Sequence, residues 1–361
     1  MASRTIRLAV VTVLALAATL ALAGGQDRPV PVRLQLKWYP QAQFAGYFVA
    51  KEKGYYAAEG LDVTFSASGS EQPERVVASG RADFGISWIA SLLTARQAGL
   101  PVVHVAQVFQ ESGFALVSLR SSGISSLAQL RGKRLGVWPA GNEYPAVAAL
   151  KKYGLSSSLD PGARNPDVQA VTYPFDTASV FPKRVDAVSA MTYNELNQIL
   201  GMGYRLSDLR VFRLADHGIN LLEDLIFTTE GVLRDRNFAG YGASGRDVAA
   251  RLVRASLRGW DYAVRNQAEA VRIVLANCSD SCKGSGSQAS ALSHQTWQMR
   301  EVARLYRAGP TLSGSAGLLD HAAYADSVRI LREQGILKAA PDAGATDYGV
   351  WEAATGRKAP R

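Results

Sequence analysis

Apolar positions along this chain keep two alternating periods. Val32, Leu34, Leu36 and Trp38 recur at every second residue, the spacing of a strand with one buried face, and lead into Pro40, which opens a helix expected to end at Gly54. A second strand, Leu61 to Phe65, follows. Strand, helix and strand make a βαβ unit whose first turn holds Trp38, Tyr39, Gln41, Gln43 and Phe44, and open α/β sheets take ligands at the carboxyl ends of such strands.

The alternation of strand and helix continues. The pattern predicts a helix ending over Arg75 to Ser79, a buried strand Ala82 to Ser87, a helix Ile89 to Ala98 and a strand Val102 to Phe109. A polar break at Ser121 to Ser126 precedes a strand Arg134 to Trp138, a helix within Tyr144 to Tyr153, and strands Val168 to Tyr173, Asp186 to Thr192 and Arg210 to Leu214. An apolar strand, Leu221 to Thr228, leads into a helical tail over 247–275, 287–307 and 321–333. The expected class is therefore α/β with two lobes. A second lobe, 121–216, is inserted into a first made of 31–120 and 217–361, with crossings near Arg120 and Asp216. No internal repeat is visible.

The amino terminus bears on location. Arg4 and Arg7 precede an apolar run from Leu8 to Ala23 that closes on Ala21-Leu-Ala23, the form of a cleaved secretory signal over 1–23. Its ~16 residues fall short of the roughly 20 that span a bilayer, so the mature chain is expected to be periplasmic, not membrane-spanning. Of 361 residues 47% are hydrophobic and 20% charged, enough for a large core. The net charge is +9, or +7 without Arg4 and Arg7, but no Lys/Arg run exceeds two residues, which argues against a nucleic-acid partner. The two cysteines, Cys278 and Cys282, are expected to close a small disulfide loop in an oxidising compartment; a metal site would need more ligands nearby.

Catalytic constellations are thin. His104, His217, His294 and His321 are scattered without the spacing of a helical metal pair, so no metal is expected. Gly240-Tyr-Gly-Ala-Ser-Gly245 fits a dinucleotide template by letter, but no buried strand precedes it, and Ser244 or Gly245 reads as a helix entry.

Taken jointly, Leu36-Lys-Trp38, Pro40-Gln-Ala-Gln-Phe-Ala-Gly-Tyr-Phe-Val-Ala50, Lys53-Gly-Tyr-Tyr-Ala-Ala-Glu-Gly-Leu-Asp-Val63, Ala82-Asp-Phe-Gly85, Leu130-Arg-Gly-Lys-Arg-Leu-Gly136 and Met191-Thr-Tyr-Asn-Glu195 resemble the ABC-transporter solute-binding proteins related to thiamine-pyrimidine precursor binders. The resemblance covers roughly Val32 to Thr229. It implies a type II-like periplasmic binding fold, two lobes closing over a small ligand on a two-strand hinge, and delivery to a membrane permease by a monomer without a cofactor. The superfamily also contains thiamine-pyrimidine synthases, in which the stretch matching Gly85 to Ser91 carries a lysine that holds pyridoxal phosphate and, four residues on, a histidine consumed in the reaction. Here Ser87 and Ser91 stand instead, and a hydroxyl forms no imine. Synthase activity is therefore not expected.

A flat heterocycle needs aromatic faces and a few groups that fix its orientation. Trp38, Gln41, Gln43 and Phe44 offer both in the first loop, with Phe44 where pyrimidine-precursor binders tend to carry histidine. Ser87 and Trp88 follow at the end of a strand. In the second lobe Trp138-Pro-Ala-Gly-Asn-Glu-Tyr144 forms a strand-to-helix turn in which Glu143 and Tyr144 are candidate contacts and Asn142 a helix cap. Tyr173, Tyr193 and Glu195 follow strand ends in the same way, while Glu223 and Asp224, on the return crossing, read as hinge or surface charge. The expected ligand is a thiamine pyrimidine precursor first, riboflavin or another flat vitamin second, and a sulfonate or nitrate-like anion third.

Overall fold

The computed structural model describes residues 28–67, 71–160, 162–173, 176–278, 282 and 288–360. The expected signal over 1–23 lies outside them. Among the described residues ten strands form two mixed sheets. The first is ordered β2-β1-β3-β10-β4, from β1 (Val30–Gln35), β2 (Leu61–Ser66), β3 (Phe84–Ser87), β4 (Val102–Gln107) and β10 (Leu225–Thr229). The second is ordered β7-β6-β8-β5-β9, from β5 (Phe114–Leu119), β6 (Arg134–Val137), β7 (Gln169–Thr172), β8 (Ala187–Met191) and β9 (Leu209–Arg213). In each sheet the first three strands of that order are parallel, and the strand made just after the chain crosses over, β5 or β10, runs antiparallel to both its neighbours.

This corrects one expected boundary. Phe114–Leu119 is a strand of the second sheet, so the first crossing runs over 108–113, not near Arg120. Five of its six residues are buried, and a strand buried on both faces shows no alternation to mark where it begins. The return crossing over 218–224 lies beside the first. Asn220 Oδ1 accepts from the Ser112 amide (2.8 Å), and Glu223 accepts from Ser112 Oγ (2.5 Å) and the Gly113 amide (3.0 Å).

The helices that matter here are α1 (Ala45–Glu52), α2 (Ile89–Gln97), α3 (Tyr144–Lys152), α4 (Glu195–Gly201), α5 (Gly245–Arg265), α6 (Gln267–Asn277) and α7 (Gln288–Tyr306). The helix expected from Pro40 begins as a 3-10 turn at Ala42–Phe44, and the long helix expected over 247–275 breaks at Asn266 into α5 and α6. Ser244 caps α5, its hydroxyl accepting from the Asp247 amide. Glycine sets how closely α1 and α5 pack: a Cβ on Gly259 would lie 2.1 Å from the Gly46 carbonyl oxygen, and one on Gly46 would lie 2.2 Å from Trp260 Cγ. Trp260 stacks on Tyr306 at 5.6 Å and meets Phe109 edge-on, so α7 is fixed to the first lobe through this core. Cys278 and Cys282 are joined, and Cys282 Sγ lies 3.3 Å from the carbonyl oxygen of Pro40, behind the first loop. None of the described helices is long and apolar enough to cross a membrane.

Candidate functional site

Between the sheets lies a cavity enclosing about 310 Å³, counting space open to solvent. Four strands end on it. Lys37 and Trp38 follow β1, Trp88 follows β3, Trp138 follows β6, and Tyr193 with Asn194 follows β8, all at carboxyl ends of neighbouring parallel strands. Gln41, Gln43, Asn142, Met191 and Glu195 complete the wall.

The first lobe's wall is bonded to itself. Gln41 Nε2 donates to Gln43 Oε1 (2.7 Å), Gln43 Nε2 to both oxygens of Asp224 (2.9 Å), and Trp88 Nε1 to Asp224 Oδ1 (3.1 Å). Asp224 has φ +50°, a left-handed conformation that a non-glycine residue adopts at a cost, and here it aims the carboxylate at both partners. Burial pushes its pKa up to about 7, against hydrogen bonds from Gln43 and Trp88 that favour the ion. Lys37 is also buried; its ammonium lies 5.2 Å over the Trp88 ring and 3.4 Å from Ser91 Oγ. Burial lowers its pKa, opposed by the charges of Glu74, Asp224 and Glu143.

In the second lobe Glu195 accepts from the Met191 amide (2.9 Å) and from Asn194 Nδ2 (2.6 Å), and burial pushes its pKa up to about 7. Helix α7 crosses from the first lobe to support this turn: Trp297 Nε1 donates to the Thr192 carbonyl (3.0 Å), and Asn194 Oδ1 is bonded to His294 Nε2 (2.9 Å) and Gln298 Nε2 (3.3 Å). The turn from β6 to α3 meets the first lobe, where Ser91 Oγ donates to the Gly141 carbonyl (3.1 Å) and Gln72 Nε2 to that of Ala140 (3.0 Å). These bonds join the two lobes at one side of the cavity.

Of the residues singled out in the sequence, Trp38, Gln41, Gln43, Trp88, Tyr193 and Glu195 share this cavity. Five do not line it. Phe44 is fully buried in the hydrophobic core, and Ser87 is buried with its hydroxyl donating to Glu74. Glu143 folds back to accept from the Gly141 amide (2.8 Å), and Tyr144 is half-buried against the hydrophobic core. Tyr173 donates to the Ser189 carbonyl (2.7 Å), because β7 is an edge strand and its end falls beside the cavity. Asn142 does not cap α3; its Nδ2 donates to the Pro139 carbonyl (3.0 Å) while Glu143 takes the cap position. Glu223 and Asp224 are buried, not surface charge. Lys37, Trp138, Met191 and Asn194 join the wall unannounced, although each stands within three residues of a strand end.

Two sheets closing on a shared cavity at their strand ends define a ligand-binding protein of the periplasmic binding protein fold. The chain belongs to the NMT1/THI5-like family, which matches residues 41–270. It is similar to the riboflavin-binding protein RibY of Chloroflexus aurantiacus, 29% identical over 320 residues covering 86% of this chain and 83% of that protein. The formylaminopyrimidine-binding protein of Halalkalibacterium halodurans is 27% identical over 248 residues, 68% of this chain and 70% of that one. An enzyme of the same family, the 4-amino-5-hydroxymethyl-2-methylpyrimidine phosphate synthase THI11 of Saccharomyces cerevisiae, is 26% identical over 186 residues, about half of each chain (50% and 52%). Among solved structures, a Bordetella bronchiseptica protein superposes with a TM-score of 0.65 at 16% identity, over 91% of this chain and 97% of that one. The alkanesulfonate-binding protein SsuA of Xanthomonas axonopodis gives 0.58 at 14%, over 89% and 99%.

Proposed function

We propose that this chain is the extracytoplasmic solute-binding subunit of an ABC-type importer, and that it captures a small flat nitrogen heterocycle between its lobes. The observation that carries this reading is the cavity wall itself: Trp38, Trp88, Trp138 and Tyr193 interleaved with amide and carboxyl groups at the ends of four strands. Among the described residues Lys37 is the only cation in that wall, and the charges of Glu74, Asp224 and Glu143 already act on it, whereas an anion site needs converging cations. That arrangement disfavours a sulfonate or nitrate. A thiamine pyrimidine precursor is the first reading, supported by similarity to the formylaminopyrimidine-binding protein over about two thirds of both chains. Riboflavin is the second reading, supported by similarity to RibY over most of both chains.

Pyridoxal phosphate chemistry does not fit these residues. Ser87 and Ser91 are engaged with Glu74 and the Gly141 carbonyl, and among the described residues no histidine lines the cavity. The signal over 1–23 is retained as the export signal of a monomeric periplasmic protein that hands its ligand to permease subunits. Native mass spectrometry and thermal shift of the mature chain against pyrimidines, flavins and sulfonates test the reading; a ligand at 100 times its Kd raises stability by about 2.7 kcal/mol. Stabilisation by a sulfonate alone, or by none of the three classes, rejects it.

A further inference from the structure

Two buried polar atoms in the cavity wall have no hydrogen-bond partner: the indole Nε1–H of Trp138 and Oδ1 of Asn142. Trp138 is 3% and Asn142 8% exposed, and they stand four residues apart on the turn from β6 to α3. The Asn142 amide has a defined orientation, since its Nδ2 donates to the Pro139 carbonyl at 3.0 Å and leaves the oxygen over. The turn is strained and held from outside. Ala140 has φ +64° and Gly141 +88°, and both carbonyls are bound by the first lobe through Gln72 and Ser91. Other buried side-chain atoms without partners among the described residues, such as Ser118 Oγ and Ser189 Oγ, belong to residues away from this wall. A fold that satisfies Gln41, Gln43, Trp88 and Glu195 around one cavity, yet leaves one donor and one acceptor unmet there, has placed them for something that enters it.

We propose that Trp138 Nε1 and Asn142 Oδ1 read one edge of the ligand, which carries an acceptor for the indole N–H and an N–H donor for the amide oxygen. A ring nitrogen next to an exocyclic amine has such an edge, and so does a lactam. A sulfonate or carboxylate, which only accepts, would satisfy the indole and set its charge against Asn142 Oδ1. This assignment rests on the reading of the cavity as a heterocycle site.

The test uses 4-aminopyrimidine and its N,N-dimethyl analogue, which lacks the N–H, titrated against the mature chain and its W138F and N142A variants. Trp138→Phe keeps an aromatic ring beside Phe114 and Tyr173, 5.6 and 5.9 Å from the indole, and removes the indole donor together with part of the ring. Each variant is expected to bind 4-aminopyrimidine roughly 5- to 30-fold more weakly, one hydrogen bond's worth. The dimethyl analogue is expected to bind wild type and N142A alike. Without ligand, W138F is expected to melt lower than wild type because the smaller ring underfills the core, so the comparison of the two pyrimidines in N142A carries the test. Equal binding of 4-aminopyrimidine by wild type and both variants overturns the assignment and leaves the heterocycle reading standing. Failure of wild type to bind either pyrimidine, with a sulfonate bound instead, overturns both.

Discussion

The two walls of the cavity are built on different terms. In the first lobe the polar side chains close on one another through Asp224, which gathers Gln43 and Trp88 and, through Gln43, Gln41. In the second lobe the β6 turn ends in atoms without partners, and the β8 turn is supported from behind by α7. The difference teaches which wall is set before a ligand arrives. A wall satisfied internally keeps its shape at no further cost on binding, while one with unmet groups gains its bonds only from what it holds. The first lobe therefore supplies a fixed platform, and the second supplies discrimination.

Removing the centre of the fixed wall is expected to have the largest effect. Asp224→Ala strands the Gln43 amide and the Trp88 indole and takes a counter-charge from Lys37, so stability is expected to fall by about 3 kcal/mol and ligand affinity by 100-fold or more. Urea unfolding and calorimetric titration measure the two; a variant as stable as wild type would mean that the platform is not organised by Asp224.

Truncating one aromatic on each side compares the walls directly. Trp38→Ala and Tyr193→Ala are each expected to cost about 1 to 3 kcal/mol of binding, roughly 5- to 150-fold. Small-angle scattering of wild type is expected to show compaction on saturation, as hinge closure requires. Unchanged affinity in both variants places the ligand elsewhere.

Acid and base sharpen the comparison further. Asp224 in one wall and Glu195 in the other are pushed up to about 7, and Glu223 between the crossings to about 8, from ordinary values of 3.8 and 4.5. A carboxyl raised on folding contributes stability that is full below its unfolded pKa and is lost as pH climbs through the folded one. His104, lowered by burial to about 4 from 6.5, works in the opposite sense and only below about pH 6.5. From pH 6.5 to about 8 the unliganded chain is therefore expected to lose thermal stability. The combined Glu195→Gln, Glu223→Gln and Asp224→Asn variant is expected to flatten that slope, and a slope left unchanged would assign the loss to other groups.

Reducing the disulfide is expected to have the smallest effect, a few-fold loss of affinity with the fold intact. Intact-mass analysis of exported protein is expected to show two hydrogens fewer than the dithiol and no alkylation before reduction; free thiols there would refute the pairing.

Much of this architecture was legible in the chain, and the illegible parts have physical causes. Period-two alternation located β1 and β2, and Ser244 marked the start of α5. Lys37 escaped because alternation from Leu34 to Trp38 puts it on the face opposite Trp38, yet β1 stops at Gln35 and the period no longer governs beyond it. Tyr173 and Tyr193 look equivalent in sequence, each just past a strand; only sheet order, with β7 at the edge and β8 inside, separates a core hydroxyl from a cavity face. Asp224 was hidden for a related reason. Its role comes from three segments far apart in the chain that meet only when both crossings are made.

The bridge between Cys278 and Cys282 acquires a meaning from its position behind Pro40. Gln295, which accepts from the Ala42 amide (2.7 Å), also donates to the Cys282 carbonyl (3.4 Å), so the bridge and the turn bearing Gln41 and Gln43 share one buttress. Thiols stay reduced in a cytosol. Under the function proposed above, a chain still awaiting export lacks the bridge while keeping Gln295, so the turn that carries Gln41 and Gln43 gains its second brace only once the thiols are oxidised.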